Sequence, residues 1–221
     1  MSAIVKLRLV FSKKGRAIYI SQLDLMRTLQ RSFQRAGYPL KYSEGFNPHP
    51  LLSVALPMSV GISSDCEILD FKMDNEPSDL VLAAQSVTRA LLEGLMIHEI
   101  YHPEVKVTAI KWLQIEGILD YDTGVSDDLI SNLNDVFQQD SIEVLKKTKK
   151  GEQMFDCKPH LRNLMIQPFD DQKVKMTGMI SAQNPTVNPN LLIKAIPEEW
   201  KPDFSRFHRI EVFDEEMNIF R

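Results

Sequence analysis

Apolar and polar positions alternate along Ile4-Val-Lys-Leu-Arg-Leu-Val-Phe11, with Val5, Leu7, Leu9 and Phe11 on one side and Lys6 and Arg8 on the other. That is the period of a half-buried strand, with the two cations outward. From Ser21 to Ala36 the period changes. Leu25, Leu29, Phe33 and Ala36, flanked by Leu23 and Met26, recur at three- and four-residue spacing and make one apolar helix face. Ser21 with Asp24 three residues later is a helix-start signal, because the hydroxyl accepts from a free N–H while the carboxylate favours the positive helix end. Gly37, which tolerates a positive φ, and Pro39, which lacks an N–H, end the run.

Further along, Ser12-Lys-Lys-Gly-Arg16 is a cationic turn and Ala17–Ile20 leads into the first helix. Leu51–Leu56 and Glu67–Met73 read as a hairpin around Gly61. A second helix opens at Pro77, with Ser78 or Asp79 as its cap, and runs through Leu80, Leu82, Val87 and Leu91 to Gly94; Met96–Tyr101 is a strand. The order is β-α-β-β-α-β, the split βαβ pattern of a ferredoxin-like domain, which leaves one sheet face free.

A second round of the same order is expected from Val107–Leu119 (strand), Asp127–Phe137 (helix), Ile142–Lys147 and Lys173–Ile180 (strands), Pro189–Ala195 (short helix) and Phe207–Phe213 (strand). Met154–Met165 is left unassigned. The expected class is therefore α+β, two tandem ferredoxin-like domains with antiparallel sheets, covering residues 1–104 and 105–221. The break falls between His102 and Lys106, where Pro103 interrupts two strand-like runs. No residue-level repeat accompanies the repeated element order.

Composition narrows the setting. No segment approaches the roughly 20 apolar residues needed to span a bilayer, and the Met1-Ser-Ala start lacks the apolar block of a secretion signal. Two cysteines, Cys66 and Cys157, fit a reducing compartment, so the expectation is a cytoplasmic protein without membrane contact. The net charge of −4 conceals segregation. Residues 1–60 hold nine basic side chains against two acidic, a net of +7, whereas residues 61–140 hold four against sixteen, a net of −12. A cationic N-terminal quarter on an acidic body suits an anionic partner such as RNA phosphate; solvated surface is the plain alternative.

The candidate site follows from that asymmetry. Arg27, Arg31 and Arg35 are four residues apart, so their guanidinium groups project in a row, and Asp24 is the one acid in that helix. Next comes Gly37-Tyr-Pro-Leu-Lys-Tyr-Ser-Glu-Gly-Phe-Asn-Pro-His-Pro50. Here Lys41, Ser43 and Asn47 offer polar contacts, and Tyr38, Tyr42 and Phe46 offer faces for stacking on bases, although Phe46 also suits a core plug. His49, a near-neutral imidazole beside Ser43 and Glu44, is the candidate acid or base on a ribose hydroxyl; the stronger reading is that it shapes the loop by bonding backbone carbonyls between Pro48 and Pro50. Glu67 and Asp70 are expected as ion-pair partners of the arginines or as strand-end residues.

Other chemistry is thinly represented. A radical SAM cluster needs three closely spaced cysteines, and the two present are 91 residues apart. Cys157-x-x-His160 has metal-like spacing without a second pair nearby in sequence, and no Gly-rich phosphate loop or nucleophile elbow is found. Neither a metal nor a cofactor is expected.

The pieces Ile20-Ser-Gln-Leu-Asp-Leu-Met-Arg27, Arg31-x-x-x-Arg35-Ala-Gly, Tyr42-Ser-Glu-Gly-Phe-Asn-Pro-His-Pro50, Gly61-Ile-Ser-Ser64 and Glu67-Ile-Leu-Asp70 resemble the bacterial radical-SAM-associated family known as DUF2344. Lys158-Pro-His-Leu-Arg162 and Arg206-Phe-His-Arg-Ile-Glu211 are similar to its second half. The resemblance implies association with a radical SAM protein and a setting in ribosome or RNA metabolism; it implies no particular reaction. One position departs: the family usually has His after the helix-start Ser, where this chain has Gln22, which removes a proton-transferring histidine from that place.

The leading expectation is a noncatalytic RNA-binding or adaptor protein. Arg27, Arg31, Arg35, Lys41, Tyr42, Ser43, Phe46, Asn47 and His49 would contact tRNA or rRNA, with Ser21, Asp24, Glu67 and Asp70 in support, beside a radical SAM partner. The alternatives are a metal-independent RNA endonuclease or RNA-modifying enzyme using His49, and a pure protein-interaction module docking through the acidic residues 61–140.

Overall fold

A computed structural model describes residues 4–148 and 151–221; of the expected first strand's approach, Met1–Ala3 lie outside the described residues. The protein is mixed α+β, mostly antiparallel sheet, with four α-helices among the described residues. It divides into two compact units, residues 1–107 with Arg221, and residues 108–220.

The first unit runs β1 (Val5–Lys13), α1 (Gln22–Arg35), β2 (Leu52–Ala55), β3 (Ser63–Met73), α2 (Leu80–Ala90) and β4 (Leu95–Tyr101). Its strands lie in the order β4-β1-β3-β2, with every neighbouring pair antiparallel. Ser21 Oγ accepts from the Asp24 N–H at 3.1 Å and starts α1; Asp79 accepts from the Leu82 N–H at 2.9 Å and starts α2. Both helices cover one sheet face. Leu25, Leu29 and Phe33 of α1, and Ala83, Ala84 and Val87 of α2, pack on Leu7, Leu9 and Phe11 of β1 and on Leu69, Phe71 and Met73 of β3. The Phe33 and Phe71 rings meet at 4.9 Å between centroids. Leu82, expected on the buried stripe, is half exposed instead, and the small Ala83 and Ala84 take its place against the sheet.

Strand alternation sends Lys6, Arg8, Asp70 and Lys72 to the opposite face. The register pairs Lys6 with Lys72 and Arg8 with Asp70. Arg8, expected to point into solvent, is fully buried. Its guanidinium donates to Asp70 and to the Val105 carbonyl, at 2.9 Å for the latter, so the charge is held by partners rather than by water.

The second unit runs β5 (Trp112–Asp120), α3 (Asp127–Gln138), β6 (Glu143–Thr148), β7 (Gly151–Asp156), β8 (Leu161–Asp170), β9 (Lys173–Ser181), α4 (Asn190–Ala195) and β10 (Phe204–Phe213). Its sheet has the order β10-β5-β9-β8, and β6 and β7 form a separate hairpin. Two sequence expectations are corrected here. The strand from Val107 begins at Trp112 after a 3-10 turn at Val107–Ala109, because its partner strands end there: Trp112 sits opposite Phe213 and Ser181. The strand at Ile142–Lys147 does not pair with the sheet; β8, which begins in the unassigned stretch and runs on to Asp170, fills that position. Among the described residues no helix is long and apolar enough to cross a membrane.

Candidate nucleic-acid interface

The loop between α1 and β2 is mounted on the end of β3 by backbone bonds. The Lys41 N–H donates to the Lys72 carbonyl at 2.7 Å, the Leu51 N–H to the Lys41 carbonyl at 2.7 Å, and the Lys72 N–H to the Leu51 carbonyl at 2.9 Å. Above this base, Tyr42 bridges to Pro50, and the Ser43 N–H donates to the His49 carbonyl at 2.8 Å. The His49 N–H donates back to Ser43 Oγ at 3.1 Å. His49 Nδ1 lies 2.9 Å from Ser43 Oγ and 3.4 Å from the Asn47 carbonyl. The six-residue excursion is closed by its own ends, with Gly45 at a φ of 118° making the turn that other residues resist.

Phe46 rides at the tip, fully exposed, which disposes of the core-plug reading. Tyr42 is partly exposed, and its Oη accepts from Gln30 Nε2 of α1 at 2.6 Å, fixing the ring. His49 Nδ1 is engaged within the loop, while Nε2 has no hydrogen-bond partner among the described residues.

The expected row of three arginines separates into three situations. Arg27 reaches Asp24 at 3.5 Å. Arg35 donates to Ser32 Oγ at 3.1 Å and to the Ala90 carbonyl, so its charge caps the C-terminal end of α2. Arg31 is exposed and has no side-chain partner among the described residues. Lys41 is also engaged: its Nζ meets Asp74 at 2.7 Å, and that hydrogen bond is the main cause of a raised Lys41 pKa. Of the four expected phosphate contacts on α1 and its loop, only Arg31 keeps an unengaged charge.

Asp70 and Glu67 differ from expectation in their partners. Asp70 serves β1, accepting from Arg8 Nε at 2.6 Å and from Lys6 Nζ at 3.0 Å. Burial pushes the Asp70 carboxyl up, but the hydrogen bonds from Arg8 and Lys6 outweigh it and hold the group below the ordinary carboxylate value. Glu67 is buried in mid-strand opposite Phe11 and pairs with none of the three arginines. Ser21 and Asp24 do their expected work at the start of α1, where Ser21 Oγ also donates to Asp24 at 2.7 Å.

Beneath the loop a pocket of about 230 Å³ opens on the sheet face away from the helices, lined by Lys6, His49, Leu51, Leu52, Asp70 and Lys72 among others. Lys6 and Lys72 were absent from the expected site. The signal for them was present in the alternation of β1 and β3, which puts Lys6, Arg8, Asp70 and Lys72 on one face.

Among the described residues no three His, Cys, Asp or Glu side chains gather as a metal site. His102 is paired with Glu76 at 2.7 Å. Cys157 is buried, which pushes its thiol up to about 11, and the His160 ring stacks on Phe155 at 5.3 Å between centroids.

A family model described as "Uncharacterized protein conserved in bacteria (DUF2344)" matches residues 6–189. No curated protein matches the chain significantly. Among solved structures, a crystal structure of "an Unknown Protein from Galdieria sulphuraria" is similar at 9% identity over 81% of this chain and 82% of that one. Its TM-score of 0.27 is too low for the likeness to support any structural argument.

Proposed function

From the premise that the chain belongs to the DUF2344 family, we propose that it is a noncatalytic RNA-binding protein that grips single-stranded segments of tRNA or rRNA with the Ser43–Pro50 loop. Each unit is read as a ferredoxin-like domain, the second carrying the β6–β7 hairpin as an insertion. This reading rests on the split βαβ strand order, which recurs as β4-β1-β3-β2 and β10-β5-β9-β8. In this proposal the protein works in the cytoplasm and presents RNA to a radical SAM enzyme.

The observation that carries the proposal is Phe46. A phenyl ring held fully in water, on a loop that its own hydrogen bonds close, loses little freedom when a base stacks on it. Arg31, exposed and unengaged, supplies a phosphate contact. Binding of a labelled twelve-nucleotide uridine RNA is expected to weaken linearly in log–log form as salt rises. Phe46→Ala is expected to weaken it by about 1–3 kcal/mol, the worth of one stacked base. Equal affinity of the variant and the wild type at every salt concentration would remove the loop from the interface.

One observation favours a catalytic version. His49 Nδ1 is held by Ser43, and Nε2 is left without a partner among the described residues, as a positioned acid or base requires. That version demands RNA cleavage or modification in chelator, abolished by His49→Ala in a folded protein.

A further inference from the structure

We infer that the pocket beneath the loop is a subsite for one unstacked nucleotide, its base lying on Pro50 and Leu51 and its phosphate held by Lys6 and Lys72. The inference rests on the RNA-binding reading and names the ligand of one pocket beside the loop.

Size comes first. At about 230 Å³ the pocket is smaller than the roughly 300–1,000 Å³ of sites for drug-sized ligands, so it suits a single base with part of its ribose rather than an extended molecule. Its composition is divided in the way a nucleotide is divided. Pro50 and Leu51 offer half-buried apolar surface for a ring, and Ser53, Lys6 and Lys72 offer polar groups at the margin.

Charge decides which ligand the polar margin takes. Both Asp70 oxygens are occupied, one by Arg8 Nε at 2.6 Å and the other by Arg8 at 3.2 Å and Lys6 Nζ at 3.0 Å. With Lys6 and Lys72 set against this one carboxylate, the charged side chains that line the pocket sum to +1. The Lys72 Nζ is exposed and has no side-chain partner among the described residues. The site therefore favours an anion, and its apolar floor favours an anion that carries a flat ring. A nucleotide bound there also lies against His49, which lines the pocket.

The rigid mounting argues for a preformed subsite. Leu51 and Lys72 are bonded to one another through the backbone, so the apolar floor and the main cation move as one piece. Binding then needs no reordering of the chain.

The test uses the full chain, with amide chemical shifts followed during titration with UMP, uridine and ribose 5-phosphate. UMP is expected to shift Leu51, Leu52, Ser53 and Lys72 saturably, with uridine and ribose 5-phosphate at least tenfold weaker. Lys72→Met, at an exposed position, is expected to weaken UMP about tenfold, the loss of one charge-assisted contact, while leaving the effect of Phe46→Ala on the uridine RNA unchanged. Three results each overturn the subsite: no saturable shift at these amides, ribose 5-phosphate binding as tightly as UMP, or UMP affinity unaltered in Lys72→Met. If the uridine RNA still binds through Phe46 in any of those cases, only the subsite fails. If the RNA does not bind either, the RNA-binding reading fails with it.

Discussion

Arg8 and Asp70 face each other across β1 and β3 as a two-bond fork, Nε to Oδ1 at 2.6 Å and the second guanidinium nitrogen to Oδ2 at 3.2 Å. Arg8 has no contact with water, whereas the Asp70 side chain keeps 17% of its exposure. The pair ties the first strand to the third under the pocket. Removing the carboxylate leaves a buried guanidinium short of its counter-charge, so Asp70→Asn should destabilise the protein by about 2–3 kcal/mol near pH 7, somewhat below the loss for a fully buried pair. The sign with pH follows from the depressed carboxyl pKa. The stabilisation is present in full above the unfolded-state value near 3.9 and is lost as pH falls through the lower folded value. Urea unfolding of both proteins between pH 7 and pH 2 should show the gap between them closing only in the acid range. A constant gap would mean that the fork acts through packing and not through charge.

The three arginines of α1 should behave differently from one another. Arg35 is tied to Ser32 and to the Ala90 carbonyl at the end of α2, so Arg35→Ala is expected to lower stability by about 1 kcal/mol and to change RNA affinity less than twofold. Arg31→Ala should do the reverse. Its stability is expected to stay within about 0.5 kcal/mol of wild type, while the log–log salt slope of RNA binding falls by about one contact. Parallel thermal melts and RNA titrations decide the matter. If Arg35→Ala weakens RNA as much as Arg31→Ala without altering the melt, the helix does present a continuous cationic row.

That separation marks where sequence reading runs out. The α1 helix was legible because its signals are local: the Ser21 cap, Asp24 in the first turn and an apolar stripe at helical spacing all lie within the segment. The fate of Arg35 was not, since it depends on where the end of a helix more than fifty residues away comes to rest. Alternation in β1 correctly assigned Arg8 to the face opposite Leu7 and Leu9, but a face says nothing of what covers it, and Arg8 proved buried. In the second unit, β8 escaped notice for another reason. It is the last strand of its sheet, mostly exposed, broken by register shifts and carrying Pro168, so it never shows the apolar period that reveals an inner strand. The loop was legible as a turn from Gly45, Pro48 and Pro50; its closure by Ser43 and His49, six residues apart, belongs to no short-range pattern.

Two glycines, one in each unit, offer a check on how tightly the two sheets are built. Gly94, before β4, has a φ of 90°, and a Cβ there would run into the Lys14 carbonyl oxygen and approach Ala17 Cβ to 3.1 Å. Its own carbonyl accepts from the Lys14 N–H at 2.8 Å, so the two segments cannot easily part. Gly117, in β5, has ordinary strand backbone, and a Cβ there would lie 2.6 Å from Cε1 of the Phe207 ring opposite. The obstacle in the first case is backbone and in the second a side chain that can turn. Gly94→Ala is therefore expected to destabilise by about 3–4 kcal/mol, combining a left-handed conformation with a fixed clash. Gly117→Ala should lose about 1–3 kcal/mol, the usual penalty of overpacking. Urea midpoints at constant slope measure both. A smaller loss at Gly94 than at Gly117 would show that the Lys14 turn yields, and that the start of β4 is not rigidly held against it.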